Sequence, residues 1–120
     1  MGAGSSVGTV RSFLACAESR DFSRARELLD EHIVRKGPDG DVKEGRDNYV
    51  AFLESVLATA QNYRSEIRRC IASEDGLTVL VEIDESLTNS DGSELKASEA
   101  MIFDLTAAGL IGKLTVYARA

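Results

Sequence analysis

The fold is decided by the stretch that runs from residue 77 to residue 105, LTVLVEIDESLTNSDGSELKASEAMIFDL. Val79, Val81 and Ile83 occupy every second position near its start, an alternation that is typical of a strand with one buried face. The Asn-Ser-Asp-Gly segment at residues 89–92 is a strong signal for a tight turn between two strands. We therefore predict a hairpin in which the chain reverses at this turn.

The chain on either side of this hairpin supplies further strands and, before them, helices. Strands are predicted over residues 32–35, 63–74, 77–88, 94–106 and 110–119. Apolar residues at three- and four-residue steps predict a first helix through Val7, Val10, Phe13, Leu14 and Ala17, and further helices after Asp21 and after Gly45. The predicted fold class is therefore α+β, with three N-terminal helices packed on a strongly curved antiparallel sheet.

The length and composition are those of one ordinary globular domain. The chain has 120 residues, of which 43% are hydrophobic and 28% are charged. We assign residues 1–6, which are rich in Gly and Ser, to a flexible N-terminus and residues 7–120 to a single domain. The first residues lack the basic and apolar regions of a signal peptide, so we expect a cytoplasmic protein.

The charge and the scarcity of metal-binding side chains argue against several kinds of partner. The formal net charge of −6 argues against a nucleic acid or an anionic membrane. No apolar run approaches the roughly 18 residues that a membrane-spanning helix needs. His32 is the only histidine, and Cys16 and Cys70 form no metal-binding pattern, so we expect no metal site and no cofactor.

Three short stretches resemble a known family in their order and spacing. They are LLDEHIV at residues 28–34, EGRDNYVAFL at residues 44–53 and AGLIGKLTVY at residues 108–117. Together they resemble the SnoaL-like and ketosteroid-isomerase-like branch of the nuclear-transport-factor-like superfamily, over nearly the whole chain. The resemblance implies a cone-shaped fold, in which the sheet wraps around the long helix and leaves an apolar pocket.

The resemblance also implies what the pocket binds and which residues line it. The implied ligand is a small hydrophobic molecule. It would contact side chains from the first and third helices and from the first strand and the last two strands. These implied pocket residues are Phe13, Val34, Phe52, Met101, Phe103, Leu114, Val116 and Ala118.

The same resemblance argues against one reaction of the family. Alignment with ketosteroid isomerases places Glu99 at their buried, proton-donating aspartate, but it places Phe13 at their catalytic tyrosine. Their general base, an aspartate before a proline, falls at Lys36 or Gly37, just before Pro38. Because two of the three catalytic groups are missing, we do not expect ketosteroid isomerase activity.

Glu99 is the candidate catalytic residue, and its sequence neighbours support that role. It interrupts the apolar run between Ala97 and Phe103. A carboxyl group buried among apolar side chains has a raised pKa, so that it can act as an acid or a base near neutral pH. Alternatively, Glu99 lies on the outside of the sheet and pairs with Lys96 or Lys113.

Glu82, Asp84 and Glu85 form a second acidic cluster, whose orientation depends on the register of the hairpin. In one register Glu82 or Asp84 lies beside Glu99, and the two carboxyl groups could share acid and base roles. In the other register these acidic side chains point outward, while the apolar residues between them face the pocket. The regular apolar alternation at the start of this strand favours the outward orientation.

Two functions follow from this sequence. The first is an isomerase, cyclase, dehydratase or epoxide hydrolase that acts on a polyketide-like or terpenoid-like compound, with Glu99 as the acid or base. The alternative is a non-catalytic module of the same fold that binds a hydrophobic ligand or another protein. In either case we expect a homodimer formed through the outer face of the sheet, where Lys113, Thr115, Tyr117 and Arg119 alternate with pocket residues.

Overall fold

The computed structural model of the protein describes residues 3–118. Its helices and strands follow one another in the order α1 (Ala3–Ser19), α2 (Phe22–Glu27), β1 (Leu29–Lys36), β2 (Val42–Glu44), α3 (Arg46–Ala58), β3 (Gln61–Ala72), β4 (Thr78–Thr88), β5 (Glu94–Leu105) and β6 (Ile111–Ala118). The predicted α+β class and the predicted hairpin of β4 and β5 are confirmed. No helix within residues 3–118 is long and apolar enough to cross a membrane.

Helix α1 begins earlier than its apolar pattern indicates. The sequence assigned residues 1–6 to a flexible N-terminus, whereas the helix starts at Ala3 and the side chain of Ser6 is buried. Residues 1 and 2 lie outside the described residues, as do residues 119 and 120 at the end of the last predicted strand. Few apolar residues precede Val7, so periodicity alone could not show this first turn.

The starts of α2 and α3 have local causes. The Asp21 side chain caps α2, since its carboxylate accepts a hydrogen bond from the backbone N–H of Arg24 at 3.2 Å. Gly45 precedes α3 with a φ of 90°, a left-handed conformation that favours glycine. Both starts agree with the breaks that the sequence indicates.

The strands form one six-stranded mixed sheet in the order β2-β1-β6-β5-β4-β3. Strands β3 to β6 form an antiparallel meander, but β1 pairs in parallel with β6. The prediction of a wholly antiparallel sheet is therefore wrong for this pair. Helix α3 lies between β2 and β3 in the chain, so the chain crosses over and β1 joins the far edge of the meander at β6 instead of pairing with β3.

The helices cover one face of the curved sheet, here called the inner face, and the opposite face is called the outer face. Helix α1 contacts β3 and β4, while α3 contacts β1 and β2. Alternate side chains of β4 and β5 therefore enter the core, among them Val79, Val81, Ile83, Met101 and Phe103. A cavity remains where this core stops short of the far ends of β4 and β5.

Candidate active site

A cavity of about 260 Å³ lies between α1, α3 and the inner face of the sheet. Most of its lining is apolar, and the side chains come from both helices and from strands β1 and β3 to β6. Its volume is slightly below the range of about 300–1,000 Å³ that is common for ligand sites. The cavity therefore suits a small and largely apolar molecule.

Several residues implied as pocket residues meet at this cavity. Phe13 enters from α1 and Phe52 from α3, while the other three enter from β5 and β6. The residues that line it in the structure are Phe13, Phe52, Met101, Leu114 and Val116. These five residues therefore lie around one cavity, and their role as a ligand pocket stays a prediction.

Val34, Phe103 and Ala118 were also expected to line the pocket, and the structure places them elsewhere. Val34 lies between the buried Ile33 and a cavity residue, so its side chain points to the outer face. Phe103 is fully buried and meets the Phe13 ring edge-on, with ring centroids 6.2 Å apart, so it fills the core. Ala118 shares the face of Val116 and Glu99, but it is exposed at the end of β6 and does not line the cavity.

Glu99 lies on the inner face of β5 and lines the cavity. It has the same orientation as the buried Met101 and Phe103, because side chains two positions apart point to the same face. In the sheet it lies between Ile83 of β4 and Ala118 of β6. The outward orientation that the sequence left open for Glu99 is therefore not adopted, and its catalytic role stays a prediction.

Glu82 and Asp84 lie on the outer face, as the apolar alternation of β4 favoured. Glu82 accepts a hydrogen bond from Nε of Arg69 at 2.6 Å. Asp84 accepts one from Arg68 at 2.8 Å and a second from the Ser98 hydroxyl at 2.8 Å. These carboxylates belong to solvent-exposed ion pairs and not to the cavity.

Glu85 is the member of this acidic cluster to which the sequence analysis gave no orientation of its own. It points inward, lines the cavity and accepts a hydrogen bond from the Tyr63 hydroxyl of β3. Burial raises the pKa of Glu85, while the Tyr63 hydrogen bond and the positive charge of Arg35 oppose this rise. The signal was present in the sequence, because Glu85 follows Ile83 by two positions and must share its face.

The register of β4 and β5 brings Glu85 and Glu99 to one wall. Ile83 pairs with Glu99 and Glu85 pairs with Ala97, so the two glutamates are diagonal neighbours on adjacent strands. Such neighbours have Cα atoms roughly 7–8 Å apart. Two carboxyl groups therefore face the same apolar space, although from different strands and in different surroundings.

Tyr63 keeps its proton in this site. Burial raises the pKa of the Tyr63 phenol, and the negative charge of Glu85 raises it further. The hydroxyl therefore remains a hydrogen-bond donor that holds the Glu85 carboxyl in one position.

Arg35 places a positive charge on the cavity wall next to α3. Its guanidinium pairs with Asp41 at 2.7 Å and lies 4.9 Å from the centre of the Phe52 ring. Gly37 makes room for this pair, because a Cβ there would lie 2.1 Å from Oδ1 of Asp41 and 2.6 Å from the guanidinium. The amine of Lys43 lies 5.1 Å from the same ring centre.

Tyr49 brings a second phenol to the cavity from α3. Its side chain is 3% exposed and stacks on Phe13, with ring centroids 6.2 Å apart and an interplanar angle of 28°. Burial raises the pKa of Tyr49, which the charge of Arg35 opposes. The sequence analysis did not single out Tyr49, which lies within the stretch at residues 44–53 that carries the resemblance, so its polar end was missed.

No group of three or more His, Cys, Asp or Glu side chains within residues 3–118 is arranged to hold a metal ion. The polar side chains that line the cavity are instead two carboxyls, two phenols, one guanidinium and the Ser86 hydroxyl. This set can donate and accept protons and can bind a polar atom of a ligand.

Comparison with known protein families identifies the family of this chain. The chain matches the family model of the SnoaL-like domain over residues 10–113. No curated protein matches it significantly in sequence. Solved structures of similar shape are therefore informative about the fold.

Several solved structures are similar over almost their whole length. SalBIII, an epoxide hydrolase/cyclase-like enzyme in pyran ring formation in the polyether salinomycin, is 22% identical, with a TM-score of 0.83 and coverage of 93% of this chain and 88% of SalBIII. An LEH-like epoxide hydrolase from M. tuberculosis is 18% identical, with a TM-score of 0.85 and coverage of 97% of this chain and 84% of the hydrolase. A candidate polyketide cyclase from Xanthomonas campestris is 18% identical, with a TM-score of 0.82 and coverage of 99% of this chain and 93% of the cyclase. At such identities the likeness establishes the fold and not the reaction.

Proposed function

Because the chain belongs to the SnoaL-like domain family, we propose that its cavity is the active site of an acid–base enzyme for a small hydrophobic molecule. The observation that carries the proposal is the placement of Glu85, held by Tyr63, on the same apolar wall as Glu99. A single carboxyl would suit a binding module equally well. Two carboxyls in different surroundings suit proton transfer at two positions of one substrate.

The two carboxyls have different roles in this proposal. Glu85 is the acid, because burial raises its pKa and favours the protonated form. Glu99 is the base, because the residues before it on β5, from Glu94 to Ser98, are exposed and water can approach from that side. The apolar lining holds the substrate between them and limits access of bulk water.

Opening of an epoxide is the reaction that this arrangement supports best. Glu85 donates its proton to the epoxide oxygen as one carbon–oxygen bond breaks. An oxygen nucleophile attacks that carbon from the opposite side and gives its proton to Glu99. With water as nucleophile the product is a diol, and with a hydroxyl of the substrate it is a ring. Proton exchange through solvent then restores both carboxyls.

Ketosteroid isomerisation does not fit this cavity. Phe13 lines it at the position where the resemblance implies a catalytic tyrosine, and it carries no hydroxyl. Gly37 carries no carboxyl, and a side chain there would disturb the pair between Arg35 and Asp41. Activity on a ketosteroid should therefore stay at background.

The proposal is tested with a panel of apolar epoxides and hydroxy-epoxides in water enriched in oxygen-18. Glu85→Gln and Glu99→Gln should each lower turnover by about 10²–10⁴-fold, the usual contribution of a general acid or base. Glu82→Gln is the matched control, because Glu82 lies on the outer face of the same strand. Ligand binding without turnover, or turnover that survives both cavity substitutions, would favour the non-catalytic module.

We also propose that the outer face forms a homodimer. Tyr117 is 56% exposed there, on the same strand as Lys113 and Thr115. Arg119, also predicted for this face, lies outside the described residues. Light scattering at micromolar concentration should give about twice 12.9 kDa, and Tyr117→Asp should shift the protein toward the monomer. A monomeric wild-type protein would contradict the proposal.

A further inference from the structure

The end of the cavity next to α3 carries polar groups that the proton transfers do not use. Arg35 lines the cavity with a side chain that is 13% exposed, whereas its partner Asp41 is 38% exposed and does not line the cavity. The ion pair engages one terminal nitrogen of the guanidinium. An arginine has five N–H donors, so others remain for a group inside the cavity.

The Tyr49 hydroxyl is the second unused group. Tyr49 is only 3% exposed, and it lines the cavity. A phenol hydroxyl on a residue that lines a cavity can donate a hydrogen bond to a ligand atom there.

The charges around this end favour an anion. Arg35 and Lys43 lie 4.9 and 5.1 Å from the Phe52 ring centre, and Asp41 pairs with Arg35. Glu85 also lies close enough for its charge to interact with Arg35, but burial favours its protonated form, so two cations and one charged carboxylate remain at this end. An arginine fork matches the two oxygens of a carboxylate, and a neighbouring phenol can donate a further hydrogen bond to one of them.

We propose that Arg35 and Tyr49 form a subsite for a carboxylate, so that the substrate is a small hydrophobic carboxylic acid. Its acidic end lies against α3, and its apolar body extends along the cavity toward Glu85 and Glu99. This inference rests on the proposed function only in taking the ligand of the cavity to be the substrate. Binding can therefore be tested without turnover.

The test compares 4-phenylbutanoate with its uncharged amide, near neutral pH, by NMR titration of isotope-labelled protein. The acid should bind at least about tenfold more tightly than the amide, as expected for hydrogen bonds to a charged group. Arg35→Met keeps much of the apolar stem and should remove this preference, while Arg35→Lys should keep part of it. Tyr49→Phe should weaken binding of the acid by roughly tenfold.

Two control variants test whether the preference for the acid depends on Arg35 itself, and not on the overall charge or on the proposed proton donor. Arg68→Met removes a cation from the outer face and should leave both affinities unchanged. Glu85→Gln should keep the preference for the acid even though it removes the proposed proton donor. An acid-selective cavity without epoxide turnover would support the subsite and contradict the proposed reaction. Equal affinity for acid and amide, a preference that survives Arg35→Met, or no binding of either probe at millimolar concentration would overturn the subsite.

Discussion

Asp84 and Glu85 are adjacent in the sequence, yet they lie in opposite environments. Asp84 points to the outer face and accepts hydrogen bonds from Arg68 and Ser98. Glu85 points to the inner face and accepts one from Tyr63 beside an apolar cavity. Both are carboxylic acids on one strand, and only the alternation of side chains separates them. The face of the strand, more than the residue type, therefore decides which carboxyl can take part in chemistry.

The two faces also differ in what their charges contribute. Exposed ion pairs such as that of Arg68 and Asp84 contribute about 0–1 kcal/mol, because water screens them. On the inner face, burial changes the proton affinity itself and raises the pKa of Glu85. The outer charges thus affect solubility and association, and the inner charges affect reactivity.

The largest difference in stability should appear between the alanine variant of an inner-face aromatic residue and that of an outer-face one. Phe103→Ala should lower the free energy of unfolding by about 3–5 kcal/mol, because it leaves a hole in the core. Tyr117→Ala removes an exposed ring from the outer face and should cost at most about 1 kcal/mol. Urea denaturation of both variants provides the measurement. Similar losses for the two would show that the faces are not distinct in packing.

A difference of intermediate size should appear in the pH dependence of stability. As pH rises through the ordinary glutamate value of 4.5, the unfolded chain loses the Glu85 proton before the folded chain does. The stabilising contribution of this proton is complete below that value and is lost as pH rises through the raised folded pKa. Glu85→Gln has no such loss, so its stability relative to wild type should increase between about pH 4 and about pH 8.

Denaturation curves at both pH values check this expectation, with Glu82→Gln as the outer-face control. Glu82→Gln removes a carboxyl from an exposed ion pair, so its stability relative to wild type should change less between the two pH values than that of Glu85→Gln. If the difference in unfolding free energy between Glu85→Gln and wild type is the same at both pH values, the inner carboxyl behaves like an exposed one.

The smallest effect should come from the outer ion pairs. Arg69→Gln breaks the pair with Glu82, in which both side chains are about half exposed, at 57% and 44%. The expected cost is about 0–1 kcal/mol, and it should shrink further in about 1 M salt. A cost above about 2 kcal/mol would show that the outer face is more than a solvated surface.

The sequence predicted those features that repeat along the chain. The alternation of Val79, Val81 and Ile83 identified the inner face of β4, and the turn at residues 89–92 identified the hairpin. The same alternation assigns Glu85 to the inner face, so that residue was within reach of the pattern. The parallel pairing of β1 with β6 was not, because it joins strands far apart in the chain and leaves no local signal.

The cavity itself was only partly predictable. Phe103 and Phe13 have similar side chains, and only their packing shows that Phe13 reaches the cavity while Phe103 fills the core. Arg35 and Tyr49 were missed because charge and helical periodicity describe them as a surface cation and a core residue. Their meeting at one cavity depends on the crossing of α3 over β1, which the sequence does not encode locally.

An NMR titration of the Glu85 carboxyl carbon tests the central claim most directly. Carbon-13 labelling of glutamate, with Glu85→Gln to assign the signal, gives the pKa of this one group. We expect a titration midpoint above the ordinary value of 4.5 in the wild-type protein. The midpoint should be higher still in Tyr63→Phe, because the Tyr63 hydrogen bond favours the charged form of Glu85. A midpoint at or below the ordinary value, or one that falls in Tyr63→Phe, would contradict the claim that the inner face holds a buried acid.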